Sequence, residues 1–320
     1  MDRREHIPIE NPQEGIIRVQ DLWFPGTDLV IQAGNRLFRI SGGILAARST
    51  VFQDMLSIPQ PDTQPSIDGC LVVVLHDAPA DVEYFLKAVF DSGFFERPPA
   101  PAKFDVVAGV LRLSTKYDVE YLRMRALLHL SAALPRSLAE YNSIRPVTDP
   151  RPFHPEKNPQ FPLLILVHEL GLTWALPMAL YFASAFAVQH IMDGVAFNGH
   201  NIQLPQPVQR TLLIGRTALA FAQIHNMLQC LRDLPCQECV VRGHCQSGAK
   251  AFHELMAGSR SIYPLTLMHP GIWDAFNPLL CTSCFATAQA DYQTARQKLW
   301  DELPAMFELG SWAEVGPAPV

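Results

Sequence analysis

The residues of this chain best suited to chemistry are five cysteines in its C-terminal third, Cys236-x2-Cys239-x5-Cys245 and then Cys281-x2-Cys284. A C-x-x-C turn offers two thiolates to one side of a metal. Two such turns complete the tetrahedron that Zn²⁺ adopts, with Zn–S distances of about 2.3 Å. The interval between Cys239 and Cys281 exceeds the roughly 15–20 residues of a compact zinc ribbon, so the expected arrangement is a cross-brace between distant segments. Cys281 and Cys284 supply one pair, and the other comes from Cys236, Cys239 and Cys245. The competing reading is five unmetallated thiols, some of them buried as small hydrophobes. Ligand number favours the metal, and four thiolates leave no open position for a substrate, so such a zinc is structural.

Other constellations fall short of an active site. His168-Glu169 and His253-Glu254 each begin the H-E-x-x-H helix motif, but Leu172 and Ala257 stand where the second histidine is needed. One imidazole and a base cannot hold a catalytic zinc. His190, His200 and His225 read as surface or hydrogen-bonded residues. There is no G-x-S-x-G nucleophile elbow, no G-x-G-x-x-G turn and no G-x-x-x-x-G-K-[ST] phosphate loop. His76-Asp77 ends an apolar run where a turn is due, so Asp77 is expected to cap that turn rather than to orient a catalytic histidine. The expectation is a protein without enzymatic activity.

The composition agrees with a role in binding other proteins. At 320 residues the chain is long enough for two domains, and 48% hydrophobic content excludes general disorder. A net charge of −6 and a pI near 6.0 argue against a broad nucleic-acid-binding surface, and no direct nucleic-acid contact is expected. Seven cysteines, with Cys70 alone in the first half, do not read as a secreted disulfide framework. They point to a reducing intracellular compartment, cytoplasm or nucleus. The N-terminus, Met1-Asp2-Arg3-Arg4-Glu5-His6, is not followed by an apolar run of signal-peptide length. From Leu170 to Met192 no Asp, Glu, Lys or Arg occurs, a length that could span a bilayer. Gly171, Pro177, Gln189 and His190 interrupt it and no basic cluster flanks it, so two buried helices broken at Trp174–Pro177 are expected instead of a membrane span.

The elements follow from periodicity. Asp28–Ile31 and Arg36–Ile40 read as a hairpin turning at Gln32-Ala33-Gly34-Asn35, and Leu71–Leu75 as a buried strand. Asp81 is expected to cap a helix with Val82, Phe85, Leu86, Val89 and Phe90 on its apolar stripe. A second helix buries Phe104, Val107, Ala108, Leu111 and Ser114, and a third Leu122, Ala126, Leu130 and Leu134. Strands followed by a run of helices indicate an α+β domain. Six prolines between Pro146 and Pro162 then mark a boundary. Beyond it, helical segments recur at Leu163–Leu172, Met178–Val188 and Leu212–Leu228. The division reads as an extension over 1–25, an α+β domain over 26–140, a linker over 141–162 and a mainly α-helical domain over 163–320.

The first domain resembles the BTB/POZ fold. The resemblance rests on Asp28-Leu29-Val30-Ile31, on Leu45-Ala46-Ala47-Arg48-Ser49-Thr50-Val51-Phe52, and on Leu113-Ser114-Thr115-Lys116-Tyr117-Asp118-Val119 with Leu122. Ser41 stands where the family usually carries a buried histidine. The tail Arg296-Gln297-Lys298-Leu299-Trp300-Asp301-Glu302-Leu303-Pro304, with Phe307 and Trp312, is similar to that of BTB proteins common in mushroom-forming fungi. There a helical region with paired cysteines follows the BTB domain, and the related sequences favour Cys239 with Cys245 as the second ligand pair. The resemblance implies a short sheet capped by helices and a protein–protein interaction module. It further implies homodimerisation through the BTB domain, with 15–22 supplying an intersubunit strand, or docking on a cullin-type ubiquitin ligase. The stretch Gln53–Gln60 lacks the apolar-x-Glu element that many such adaptors carry there. The rival is a transcriptional or chromatin-associated BTB scaffold that self-associates. The tail aromatics are expected to dock on the helical half.

Overall fold

The structure is a computed structural model that describes residues 15–58, 66–144, 153, 159–258 and 262–318. The fold is mixed α+β, and packing divides it into two units, one up to His129 and one from Leu130. The division falls inside a helix, on the N-terminal side of the boundary at 140 expected from sequence. The expected linker over 141–162 is helical at its start, and most of its proline-rich stretch lies outside the described residues.

The first unit is built on a five-stranded sheet of β1 (Ile17–Trp23), β2 (Leu29–Ala33), β3 (Arg36–Ile40), β4 (Ser66–Ile67) and β5 (Cys70–Leu75), in the order β1-β3-β2-β5-β4. The β2–β3 hairpin is antiparallel, with Ala33 opposite Arg36. Its turn is therefore Gly34-Asn35 alone, two residues shorter than the sequence suggested. Gly34 takes φ +52°, and a Cβ there would lie 2.9 Å from the Pro79 ring, so glycine is required twice over. β1 runs parallel to β3 at the sheet edge, which draws part of the expected N-terminal extension into the domain. β5 buries Cys70, Val72 and Leu75 but leaves Val74 half exposed. Val74 shares a face with the buried Cys70 and Val72 while Leu75 is buried on the opposite face, so burial falls off along the strand's outer end rather than covering it fully as its β-branched run implied.

The short helices α1 (Gly42–Arg48) and α2 (Thr50–Ser57) follow the hairpin, and each begins on a serine cap. Ser41 Oγ accepts the Ile44 N–H at 3.3 Å, and Ser49 Oγ accepts that of Phe52 at 3.1 Å. α3 (Pro79–Phe90) starts on Pro79, with Ala78 at the cap position. The fixed φ of proline opens this helix, and Asp81 lies inside its first turn, where it pairs with Arg112 at 3.4 Å. α4 (Phe104–Lys116) and α5 (Glu120–Ala133) bury the stripes read from sequence. A Cβ on Gly109 would meet Asp81 Oδ1 at 2.8 Å, so the missing side chain lets α3 and α4 approach closely. Asp77 ties the end of β5 to the end of α4, accepting from Lys116 Nζ at 2.6 Å and from the Tyr117 hydroxyl. That is a bond across the fold, where a cap on its own turn was expected.

The second unit is helical: α6 (Leu138–Ile144), α7 (Gln160–Glu169), α8 (Leu176–Ala183), α9 (Val188–Asp193), α10 (Gln206–Ala222), α11 (Gln229–Arg232), α12 (Arg242–Ala257), α13 (Pro270–Phe276) and α14 (Thr282–Met306). A hairpin of β6 (Val195–Phe197) and β7 (His200–Ile202) precedes α10. The uncharged stretch from Leu170 resolves into the Gly171 turn, a 3-10 turn at Thr173–Ala175, then α8 and α9. Pro177 begins α8 rather than breaking a helix, and Pro177 to Ala183 are all buried. Among the described residues no helix is long and apolar enough to cross a membrane. The tail aromatics dock within this unit. Phe307 is fully buried over Gly215 of α10, where a Cβ would sit 2.0 Å from the ring. Trp312 stacks on Trp300 with centroids 5.2 Å apart and donates its indole N–H to the Trp300 carbonyl at 2.7 Å.

Candidate metal centre

Three local structures carry the clustered cysteines. Cys236 and Cys239 lie on a turn closed by the Cys239 N–H on the Cys236 carbonyl at 3.2 Å. Cys245 is in the opening turns of α12, fully buried. Cys281 is the cap residue of α14 and Cys284 is in its first turn. Two helix N-termini therefore converge on the sulfurs, and their partial positive charge favours thiolates. The approach of α12 depends on Gly248, since a Cβ there would lie 2.4 Å from the Leu279 carbonyl oxygen in the turn before Cys281.

Cys239, Cys245, Cys281 and Cys284 have sulfurs that all lie within 4.8 Å of one another. Two sulfurs on a tetrahedral zinc with ~2.3 Å bonds are about 3.8 Å apart. The Cys239–Cys281 pair is at 3.9 Å, and the set closes on one ion with sulfur shifts of about 1 Å or less. The donor set fits a thiophilic cation. Cys236 is different: its sulfur is 3.5 Å from that of Cys284 but outside the group of four. The structure thus brings together four of the five candidate cysteines, with Cys236 lying against them.

The electrostatics of the four are uneven. The Cys281 thiol is lowered to about 6, chiefly because the Cys284 N–H points at it. The Cys281 N–H in turn donates to Cys245 Sγ at 3.2 Å, a contact suited to a sulfur bearing charge. Burial raises the Cys245 and Cys284 thiols. A cation at the centre would offset that cost, because thiolate–metal bonds replace the lost solvent. With four sulfurs around one ion no position is left open, so the arrangement can brace α12, α14 and the 236–239 turn but cannot activate a substrate.

Two features of the second unit carry no signal in the residue pattern. One is the N–H···S contact of Cys281, which depends on backbone geometry. The other is Arg296, whose type predicts an exposed face but which is only 8% exposed. Compared with known proteins, the chain matches no family model, no curated protein and no solved structure.

Proposed function

We propose that the protein is a non-enzymatic protein–protein interaction module of the BTB/POZ kind, with a helical second unit braced by a structural zinc. The observation that carries this reading is how the two signature segments of the first unit meet. Ser49 donates to the Tyr117 carbonyl, Thr50 Oγ1 donates to Asp118 at 2.6 Å, and the Phe52 ring packs on Tyr117 with centroids 4.6 Å apart. Segments 68 residues apart thus meet in one joint, buried at Ser49, Phe52 and Tyr117 and exposed at Thr50 and Asp118. The order hairpin, helical pair, strand and helical run supports the same reading. The closed four-thiolate geometry and the seven free thiols favour zinc in a reducing compartment, cytoplasm or nucleus.

As an adaptor, the protein would present the α1–α2 pair to a cullin. Phe52 itself is buried, and the apolar side chains that the pair leaves exposed are Ile44, Val51 and Ile58. Titrating the purified full chain with a purified cullin N-terminal domain tests this. The expected result is saturable binding that Val51→Asp with Ile58→Asp weakens at least tenfold at unchanged thermal midpoint. No binding at tens of micromolar overturns the adaptor reading. The exposed Ile16 and Ile17 beside the open edge of β1 favour a second reading, a self-associating scaffold. Light scattering that shows only monomer at micromolar concentration removes that one.

A further inference from the structure

We propose that the second unit holds a binding site for a carboxylate carried on a flat apolar body, with Arg296 as its anchor. The buried row of α14 runs Cys284, Ala288, Tyr292, Arg296, Leu299, Trp300 and Leu303, and the arginine occupies a place where its neighbours are mostly apolar. Its Nε donates to the Leu265 carbonyl at 2.8 Å, one terminal nitrogen to Gln293 Oε1 at 2.9 Å, and the other to Asn142 Oδ1 at 2.6 Å. All three acceptors are neutral, and among the described residues no carboxylate pairs with this guanidinium. A guanidinium carries five N–H groups, so one remains on each terminal nitrogen, the spacing that a carboxylate accepts in bidentate fashion. A buried cation without a counterion is costly, and an anion from outside relieves that cost.

The space for such an anion is a cavity of about 280 Å³ that Arg296 lines. Because arginine can only donate, the amide oxygens of Asn142 and Gln293 must face it, which leaves their NH₂ groups as further donors around the cavity. No acidic residue lines it. Met268, Pro270 and Trp273 supply apolar and aromatic wall, and the exposed Asn142, Pro270 and Gln293 set its mouth in solvent. A cavity lined by these donors and by an aromatic ring suits a planar acid of about a dozen heavy atoms. The chain's net charge of −6 works against polyanions at long range and little against a single carboxylate.

Calorimetric titration of the full chain with 2-naphthoate, its neutral amide 2-naphthamide and inorganic sulfate tests the proposal. The expected result is saturable naphthoate binding at least tenfold tighter than that of the amide or of sulfate. Gln293 is exposed, so Gln293→Glu can place a carboxylate on Arg296 without disturbing the core. It should weaken naphthoate at least tenfold with no loss of thermal midpoint. Equal binding of acid and amide, equal binding of sulfate, or full binding by Gln293→Glu each overturns the proposal. A peptide ending in Phe with a free carboxylate, compared with its C-terminal amide, distinguishes a chain terminus from a free small acid as the natural source. Selectivity for the free-acid peptide over 2-naphthoate assigns a terminus, and the reverse assigns a small molecule.

Discussion

Cys230 and Cys281 show how far neighbouring atoms separate two residues of one type. Burial pushes the Cys230 thiol up to about 12, which makes it an inert core group. Cys281, with the Cys284 N–H directed at it, falls to about 6. The second belongs to the cluster of four candidate ligands and the first is packing, and Cys236 tests where the line lies. Cys281→Ser should reduce bound zinc from one per chain to near zero, read by elemental analysis after dialysis. Cys236→Ser should keep the metal and change stability by less than about 0.5 kcal/mol. Equal metal loss in both variants would make Cys236 a ligand and break the assignment of four. A second residue carries a pH dependence. His129 is buried, donates to the Glu96 carbonyl at 2.8 Å and lies 5.1 Å from the Phe95 ring. Burial lowers its pKa below 6.5, with the Arg125 charge adding to the effect and the Glu96 contact opposing it. The unfolded chain therefore takes up a proton first, and stability falls as pH drops through about 6.5 until the folded form is protonated too. His129→Gln, which keeps a donor but cannot charge, should flatten the decline in urea midpoint between pH 7 and 5. An unchanged slope would show that His129 does not titrate there.

At the scale of elements, the sequence carried most of the first unit and much less of the second. The hairpin and the stripes of α4 and α5 are local in origin, so spacing and residue type reveal them, whereas the serine caps of α1 and α2 were not read from the sequence. Helix starts were less legible: Asp81 has the chemistry of a cap, but Pro79 two residues earlier fixes the backbone first. The approach of α12 to the turn before α14 was not legible at all, because Gly248 signals it only through what the partner segment places 2.4 Å away. The cysteine spacing pointed to a metal site but left the second pair open among Cys236, Cys239 and Cys245, whereas the structure groups Cys239 and Cys245 with Cys281 and Cys284, drawing Cys245 in through the packing of α12. Gly248→Ala puts these effects in competition. Alanine favours an exposed helix interior by about 0.8–1 kcal/mol over glycine. Here the added methyl meets a backbone carbonyl that cannot rotate away, and overpacking costs about 1–3 kcal/mol. The clash should win. The variant should melt earlier and bind zinc at least tenfold more weakly in a chelator competition, because α12 carries Cys245. A stabilised variant with unchanged zinc affinity would show that α12 does not depend on this close contact to position Cys245.

For the whole molecule, the two units differ in what holds them together. The first encloses a sheet whose core residues Val30, Ile31, Phe38 and Ile40 are fully buried and joined by backbone ladders. Its only cysteine, Cys70, donates to the Thr27 carbonyl at 3.1 Å and belongs to no group of candidate ligands among the described residues. The second unit places all four candidate ligands on segments far apart in sequence, so a bound ion there closes long loops and contributes directly to folding. Structural zinc in small domains is worth about 10–16 kcal/mol of apparent binding energy, comparable to the whole stability of a typical domain. Stripping the metal should therefore act on one unit and spare the other. Hydrogen exchange read by mass spectrometry, with and without a strong chelator under reducing conditions, distinguishes the cases. Amides of α12 and of the first half of α14 should lose protection by at least a hundredfold. Those of β2, β3 and β5 should exchange as slowly as before. Uniform loss across both units would mean that the chain folds as a single cooperative body. No loss anywhere would mean that the four thiols pack as an apolar cluster and that metal adds nothing to the fold.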